Sequence, residues 1–314
     1  MTTTDRDDFE AQVRRHTREL QVHCYRMTGS LEESQDLVQE TFLRAWRRRD
    51  QFAGRSSLRA WLYRIATNAC LDALDKRPRT ATPDGEILWL QPYPDALLEE
   101  LPADGEGPEG AVVAKETIEL TFLVAIQHLA PLPRAVLVLR DVLDLSARET
   151  AEILETTVAS VNSALQRARA GVRERLPEKR AEWRPDQEPS DAQRELLARY
   201  VDASERADVD ELAALLHEDA RFSMPPQPET YSGRDAVVRC WVDGGFGSES
   251  FGDTRCVLTR VNGQAAVAAY VRTPGSDAHR PLALDVLRFE DGLVREVVTF
   301  DGRLFPALGL PATP

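Results

Sequence analysis

Residues 129–176 read LAPLPRAVLVLRDVLDLSARETAEILETTVASVNSALQRARAGVRERL, a segment in which apolar residues, caps and breaks predict consecutive helices. Pro131 and Pro133 precede an apolar run, which predicts a helix over residues 134–143. Ser146 and Glu149 have the spacing of a capping box, in which a hydroxyl and a carboxylate satisfy free N–H groups at a helix start. The helix that starts there should end near Leu154, since residues 155–157 leave room only for a sharp corner before the next helix.

A second helix should follow this corner, with Thr157 as its N-cap. Its apolar residues recur at helical spacing along one face and are Val158, Val161, Leu165, Ala168 and Val172. The opposite face is small and polar, and it comprises Ala159, Ser160, Ser163, Gln166 and Arg167. The pattern predicts a helix-turn-helix that meets base edges in DNA, with Arg167 and Arg169 within reach of phosphates. An αα-hairpin that packs on its own protein has the same pattern, and this segment alone does not separate the two.

The net charge of −13 hides two mildly basic segments. Residues 1–80 carry +3 and residues 131–180 carry +2, whereas residues 81–130 and 181–314 each carry −9. This asymmetry is expected of a nucleic-acid binder with a non-binding appendage, and equally of an acidic domain that covers a basic one. With 314 residues, of which 42% are hydrophobic, the chain should form two or three domains.

The four cysteines, Cys24, Cys70, Cys240 and Cys256, have no paired spacing, so neither a metal site nor a disulfide framework is expected. Cysteines without paired spacing are typical of proteins in a reducing compartment. The first ten residues are polar and acidic, unlike a signal peptide, and no apolar run is long enough to span a bilayer. We therefore expect a cytoplasmic protein with no membrane partner, no cofactor and no metal.

The first 80 residues predict a small helical bundle. We expect helices over residues 9–27, 32–49 and 58–74, with a break at Gly29 and Ser30 and a loop over residues 50–57. The apolar positions of the second helix are Leu37, Phe42, Leu43 and Trp46.

Two runs of this bundle carry a specific motif. Residues 36–46 read DLVQETFLRAW, and residues 58–68 read LRAWLYRIATN. They resemble region 2 of a bacterial sigma factor of the sigma-70 family, in the extracytoplasmic-function (ECF) group. The resemblance implies that the first run binds core RNA polymerase, and that the loop and the next helix open the −10 element of a promoter. The polymerase contacts that it implies are Asp36, Gln39, Glu40 and Arg44.

Capture of an unstacked base needs a pocket on a loop with a cation nearby, because extruding a base costs a few kcal/mol. The loop over residues 50–57 has such cations beside it. The DNA contacts expected in this region are Arg55, Arg59, Arg64 and Asn68.

The helix-turn-helix resembles sigma region 4, whose second helix reads the −35 element in the major groove. The region 2 and region 4 motifs together, in this order along the chain, indicate a sigma factor far more specifically than either motif alone. The DNA contacts expected in region 4 are Thr157, Ala159, Ser160, Ser163, Gln166, Arg167 and Arg169.

The connector over residues 80–113 is rich in Pro, Gly, Asp and Glu, which is typical of a flexible linker. A solvated linker has little use for Trp89, Leu90 and Tyr93, so we expect this patch to dock on a neighbouring domain. The C-terminal tail carries similar apolar residues, including Leu304 and Phe305. We expect the tail and the connector to pack together as a regulatory contact.

Helices followed by strands predict an α+β domain at the C-terminus. We expect helices over residues 191–206, 209–216 and 234–242 and strands over 220–224, 254–261, 264–272, 282–290 and 293–300. The dipeptides at 262–263 and 291–292 are Asn-Gly and Asp-Gly, which predict type I′ hairpin turns. Residues 220–226 read ARFSMPP and residues 233–236 read GRDA. These runs resemble the SnoaL-like branch of the NTF2 superfamily, which implies a cone with a curved antiparallel sheet around an apolar cavity.

Within that cavity, Asp285 and His217 are the candidate acid-base residues, and a carboxylate in an apolar pocket should have a raised pKa. The sequence places no second carboxylate and no tyrosine beside Asp285, and a fold alone does not imply catalysis, so we expect no enzyme.

The sequence therefore predicts a sigma factor with two all-α modules that bind core RNA polymerase and the −35 and −10 elements of promoter DNA. An α+β SnoaL-like domain should regulate it in cis, with an unidentified ligand or partner left open. The alternative is a SnoaL-like isomerase or cyclase tethered to a DNA-binding module. The expected domains are residues 1–80 (region 2), 81–113 (acidic linker), 114–180 (region 4) and 188–314 (SnoaL-like).

Overall fold

The computed structural model describes residues 3–52, 57–76, 90–99, 120–174, 189–227 and 229–314. The chain divides into a helical unit, residues 1–80 and 96–183, and a C-terminal unit, residues 81–95 and 184–314. Across the described ranges, no helix combines the length and apolar character needed to cross a membrane.

The first part of the helical unit contains α1 (Thr3–Arg14), α2 (Thr17–Thr28), α3 (Leu31–Arg48) and α4 (Leu58–Lys76). The single helix expected over residues 9–27 is wrong, because the chain breaks between Arg14 and Thr17. There the Thr17 hydroxyl donates to the Arg14 carbonyl oxygen at 2.7 Å, which ends α1. At the other break, Gly29 adopts φ +72° and ends α2, and Ser30 Oγ accepts from Glu33 N at 3.2 Å to start α3.

The second part contains α5 (Ala96–Glu99), α6 (Leu120–Gln127), α7 (Pro131–Leu137), α8 (Ala147–Ile153) and α9 (Val158–Arg173). A π-helical turn, Val138–Val142, extends α7. The predicted capping box is confirmed, since Glu149 N donates to Ser146 Oγ at 3.2 Å and Ser146 N donates to Glu149 Oε2 at 2.8 Å. Between α8 and α9, Glu155 adopts φ +50° at the corner of a helix-turn-helix.

A buried arginine joins the two parts of the helical unit. Arg134, at the start of α7, is only 3% exposed. Its guanidinium donates to the carbonyl oxygen of Met27 in α2, and to Gln127 Oε1 at 2.6 Å. Gln127 Nε2 in turn donates to the carbonyl oxygen of Arg26 at 2.9 Å. Because buried polar groups are costly without partners, this network holds the end of α2 against α6 and α7.

The C-terminal unit begins with α10 (Asp191–Glu205) and α11 (Val209–Leu215), followed by β1 (Leu216–Ser223), β2 (Thr230–Ser232) and α12 (Arg234–Asp243). The remaining strands are β3 (Asp253–Val261), β4 (Gln264–Arg272), β5 (Arg280–Glu290) and β6 (Leu293–Asp301), and a short 3₁₀ helix, Gly302–Leu308, follows.

The six strands form one sheet in the order β2-β1-β6-β5-β4-β3. Strands β3 to β6 make the predicted antiparallel meander, but β1 pairs with β6 in parallel, so the sheet is mixed rather than wholly antiparallel. Residues of α10, α11 and α12 bury apolar side chains in one core with residues of β1, β4, β5 and β6. The α+β class expected from the sequence is confirmed.

Both type I′ turns are also confirmed. Asn262 and Gly263 have φ of +56° and +71°, and Asp291 and Gly292 have φ of +51° and +74°. Two successive left-handed residues are the requirement of this turn, which Asn-Gly and Asp-Gly meet at low cost.

Candidate functional site

The polymerase-binding residues implied by the sequence lie on α3. Asp36 and Gln39 are exposed, and Leu43 is 51% exposed on the same side of the helix, since the three are spaced by three and four residues. The sequence pattern placed Leu43 in the core, and this is wrong. An apolar side chain surrounded by polar ones on an exposed helix face is a usual feature of protein interfaces.

Glu40 and Arg44 have internal partners. Arg44 Nε donates to Glu40 Oε1 at 2.7 Å, and Arg44 also donates to Asp72 Oδ2 in α4 at 2.8 Å. Arg44 therefore links α3 to α4, and Glu40 is partly committed to this link. Both carboxylates are partly exposed, so the pairs contribute only a little stability.

The DNA contacts expected in region 2 lie on α4, apart from Arg55, which is outside the described residues. Arg59 Nε donates to Glu19 Oε2 at 2.7 Å, and its guanidinium lies 5.1 Å from the centre of the Tyr63 ring. Asn68 is half-buried. Most of the expected base-capturing loop also falls outside the described residues, which resume at Ser57.

Arg64 is exposed on α4, where it forms an ion pair with Glu155. Glu155 is the left-handed residue at the corner of the helix-turn-helix, so this pair connects a region 2 arginine to region 4. No local sequence signal identifies Glu155 as this partner, because the two residues are 91 positions apart. The arrangement leaves Arg64 neutralised by a carboxylate rather than free for a phosphate.

The predicted recognition helix is α9. Thr157 Oγ1 accepts from Ser160 N at 3.1 Å and so serves as its N-cap. The predicted outer face is exposed along its whole length and consists of Ala159, Ser160, Ser163, Gln166 and Arg167. Gln166 and Arg167 make no hydrogen bond or ion pair within the described part of the chain, so both are available to a ligand.

Three details of α9 differ from the sequence pattern. Val158, expected on the buried face, is 43% exposed at the first turn, and Ala164 occupies the core instead. Asn162, which is not among the predicted DNA contacts, is exposed between Ser160 and Ser163. Arg169 makes two hydrogen bonds to Asp141, at 2.8 and 2.9 Å, so it braces the helix against the segment before α8.

The connector patch docks on the C-terminal unit. Leu90 and Tyr93 are buried, whereas Trp89 lies outside the described residues. Tyr93 N donates to Asn262 Oδ1 at 2.8 Å, and Asn262 N donates to the Tyr93 carbonyl oxygen at 2.8 Å. Asp95 accepts from Gly263 N at 2.8 Å and pairs with Arg260 at 3.2 Å. The connector therefore binds the β3–β4 turn.

The C-terminal tail also packs on this unit, at another place. Phe305 is buried, with its ring centre 5.1 Å from that of Tyr270, and the Tyr270 hydroxyl donates to the Pro311 carbonyl oxygen at 3.0 Å; Leu304 is half-buried. Tyr270 lies six residues along β4 from Gln264, roughly 20 Å from the turn that holds the connector. The expectation that tail and connector pack together is therefore corrected for the described residues: Tyr93 of the connector and Phe305 of the tail lie at different ends of the β3–β4 hairpin.

Asp285 lines a cavity in the C-terminal unit, together with Tyr200 and Thr299. The Tyr200 hydroxyl donates to Asp285 Oδ2 at 3.0 Å, and the Thr299 hydroxyl donates to Oδ1 at 2.6 Å. Burial raises the pKa of Asp285, and these two hydrogen bonds oppose that effect. His217 is not among the described residues that line the cavity, and its Nδ1 accepts from Asp219 N at 3.1 Å.

Comparison with known proteins agrees with both sets of motifs. Residues 12–80 match the family model of Sigma-70 region 2, residues 120–170 that of Sigma-70 region 4, and residues 197–297 that of the SnoaL-like domain.

Similar proteins match the chain over nearly its whole length. The ECF RNA polymerase sigma factor SigG of Mycobacterium tuberculosis is 43% identical over 98% of this chain and 85% of that protein. SigJ of the same organism is 31% identical over 91% of this chain and 88% of that protein. The crystal structure of M. tuberculosis SigJ covers 98% of this chain and 99% of its own, at 26% identity and a TM-score of 0.59. The chain therefore belongs to the ECF RNA polymerase sigma factors, a family of transcription initiation factors, and carries a SnoaL-like domain after its two sigma regions.

Proposed function

We propose that this chain binds core RNA polymerase through the exposed face of α3 and promoter DNA through α4 and α9, and that its C-terminal unit regulates these contacts in cis. The proposed modules are region 2 (residues 1–80), region 4 (114–180) and the SnoaL-like domain (188–314), with residues 81–113 as connector. The observation that carries the proposal is the exposed polar face of α9, on which Gln166 and Arg167 make no hydrogen bond or ion pair within the described residues.

The support for a polymerase contact is the composition of the α3 face. Asp36 and Gln39 supply polar groups, and Leu43 supplies an apolar centre at 51% exposure. A few residues near the centre of an interface carry most of its affinity, and contacts that exclude water surround them.

The packing of the helical unit supports a closed state that opens on a promoter. The names −10 and −35 give the positions of the two elements, which are therefore about 25 base pairs apart. This separation is roughly 85 Å at ~3.4 Å per base pair. A compact unit of this length is only roughly 40 Å across. Regions 2 and 4 must therefore separate before both elements are bound, and this breaks the Arg64–Glu155 pair and the contacts of Arg134.

The docked connector supports regulation in cis. In sequence, residues 90–95 lie between region 2 and region 4, yet they belong to the C-terminal unit. The contacts of Tyr93 and Asp95 thereby hold the connector on the C-terminal unit at a point between the two regions. Any change in the C-terminal unit that releases these contacts lengthens the span that regions 2 and 4 can cover, with no need for catalysis.

Binding to purified core RNA polymerase tests the α3 face. Leu43→Ala and, separately, Glu40→Lys should weaken holoenzyme formation at least about tenfold. Thermal melts of both variants should stay close to that of the parent chain, since Leu43 is 51% exposed and the partly exposed Glu40–Arg44 pair contributes only a little stability. Leu132→Ala is the matched control, because Leu132 is also a half-exposed leucine, at 43%, but lies on α7. Unchanged core binding by both α3 variants would refute the proposed face.

Run-off transcription from genomic promoter fragments tests the function as a whole. The full chain with core polymerase should produce specific transcripts, and core polymerase alone should not. A chain that binds DNA but never alters the products of core polymerase would contradict the proposed role.

A further inference from the structure

We propose that Asp141 weakens the binding of α9 to DNA, because it pairs with Arg169 and so withholds the charge of this arginine from the phosphates. Asp141 is then a positioning residue that acts through Arg169 and sets how strongly region 4 binds DNA of any sequence. The inference rests on the proposed DNA-binding role of α9 and adds its regulation by one carboxylate.

The pair is a bidentate contact between a guanidinium and a carboxylate. Arg169 Nε donates to Asp141 Oδ2 at 2.9 Å, and Arg169 Nη2 donates to Asp141 Oδ1 at 2.8 Å. Two parallel hydrogen bonds of this kind are among the stronger polar contacts of proteins, and they also fix the orientation of the guanidinium. Arg169 is therefore oriented toward the segment before α8 rather than left to rotate freely.

Arg169 lies where a phosphate contact is expected. It follows Gln166 by three residues, so the two side chains are neighbours on the surface of α9, and Arg169 stands at the edge of the exposed polar face. A recognition helix in the major groove has the DNA backbone beside it, and arginines at its edges suit phosphates. The Asp141 carboxylate therefore brings a negative charge to a place where phosphates would approach.

The arginines of α9 differ in their partners. Arg167 and Arg173 are exposed, and their side chains make no hydrogen bond or ion pair within the described part of the chain. Arg169, by contrast, is paired with Asp141. The affinity of a protein for DNA at low salt follows the number of phosphates that its cations neutralise. The pair therefore lowers the contribution of α9 by one charge.

The pair adds little to the stability of the helical unit. The two side chains are 54% and 29% exposed, and exposed ion pairs contribute little to the free energy of unfolding. Buried apolar residues hold α9 in place instead, among them Val161 and Leu165. Asp141 also lies in the π-helical turn, where Leu143 N donates to the Val138 carbonyl oxygen at 3.0 Å. Such turns are rare and frequently occur at functional sites.

The test measures, by fluorescence anisotropy, how tightly the full chain binds a labelled random-sequence DNA duplex between about 50 and about 200 mM salt. Asp141→Asn removes the charge with almost no change of shape. It should bind the duplex roughly tenfold more tightly than the parent chain at about 50 mM salt. The slope of log affinity against log salt should steepen by about 0.9, the value for one further phosphate. A role confined to the fold would not steepen this slope.

Two further substitutions connect this gain to Arg169. Arg169→Gln should cost roughly tenfold in affinity in the Asp141→Asn background but less than about twofold in the parent chain, where Asp141 already withholds the charge. Glu152→Gln is the matched control, because Glu152 lies on α8 and pairs with Arg148 at 3.2 Å. This substitution changes the net charge by the same amount and should change the affinity less than about twofold. A thermal melt of each variant verifies folding.

The inference is overturned if Asp141→Asn binds DNA no more tightly than the parent chain, if Glu152→Gln gives the same gain, or if Arg169→Gln costs the same in both backgrounds. Arg167→Ala separates such a result from a failure of the proposed function. If Arg167→Ala weakens binding but Asp141→Asn does not strengthen it, only the role of Asp141 is wrong. If neither substitution changes the affinity, α9 is not the DNA-binding surface, and the proposed function and this inference both fail.

Discussion

Tyr93 and Asn262 lie 169 residues apart in the sequence and exchange two hydrogen bonds, each 2.8 Å long. The Asn262 side chain accepts from the Tyr93 main chain, and the Asn262 main chain donates back to it. One residue thus serves two purposes, since Asn262 also supplies the left-handed conformation of the β3–β4 turn. This pair connects the local structure of a hairpin to the course of the chain between two sigma regions.

Replacing Asn262 by glycine should release the connector. Glycine keeps the left-handed backbone but removes the Oδ1 acceptor, which leaves Tyr93 N without its partner and costs about 1–3 kcal/mol. Hydrogen exchange at Tyr93 should accelerate, and run-off transcription should change. Asp291→Gly in the other type I′ turn is the control, because it makes the same backbone change on another hairpin. Equal exchange rates in both variants and the parent chain would mean that Asn262 does not hold the connector.

The pair Arg64–Glu155 should restrain the opening of the helical unit. Glu155→Gly keeps φ positive at the helix-turn-helix corner without a side-chain penalty and removes the carboxylate. Because the pair is exposed, its loss should favour opening by up to about 1 kcal/mol. Distances between labels on α4 and α9, measured by fluorescence, should lengthen.

Arg64→Ala removes the same pair and also the proposed DNA contact. Promoter binding should therefore increase with Glu155→Gly and decrease with Arg64→Ala, although both variants loosen the unit. A parallel decrease in both would indicate that the pair only supports the fold.

The outer face of α9 should determine the sequence preference. Gln166→Ala should cost roughly 1–3 kcal/mol on the preferred promoter and relax the preference, if its amide contacts a base edge. Arg167→Ala should change either the preference or, for a phosphate contact, the affinity for all sequences alike. Binding assays over several salt concentrations distinguish these cases. Arg194→Ala on α10 is the control for loss of one exposed arginine. Equal losses of DNA affinity in all three variants would indicate that the DNA does not bind α9.

Buried His23 should make the stability of the helical unit depend on pH. Burial and nearby Arg26 lower the pKa of His23 to about 3, well below the unfolded value of about 6.5. The unfolded chain binds the proton more readily than the folded chain. Neutral His23 therefore makes its full contribution to the free energy of unfolding above pH ~6.5, and this contribution decreases as the pH falls toward about 3. Between pH 7.5 and pH 5 the free energy of unfolding should decrease by about 2 kcal/mol.

Urea unfolding of the parent chain and of His23→Gln at these two pH values measures this loss. The variant should lose about 2 kcal/mol less than the parent, since glutamine does not titrate and can still bond to Thr67, the present partner at 2.9 Å. His16→Gln serves as the control at a half-buried histidine. Identical pH dependence in all three chains would show that His23 is not a neutral buried group.

The sequence by itself determined the features that depend on neighbouring residues. The capping box at Ser146 and Glu149, the two I′ turns and the polar face of α9 were all predictable, because caps, turns and helix faces are set within a few positions. The motif runs over residues 36–46 and 58–68 likewise identified the family before any contact was known.

Only the tertiary structure decided which of these residues are free and which are engaged. Leu43 and Val158 match a core pattern but are exposed, because the neighbouring helices do not cover them. The sequence predicts Arg64 as a DNA contact. In the structure it pairs with Glu155, which lies 91 positions away in the sequence. The connector and the tail were both predicted to dock, but their places on the β3–β4 hairpin follow from strand pairing. Contacts between distant residues depend on how whole elements pack, and local sequence patterns do not contain that information.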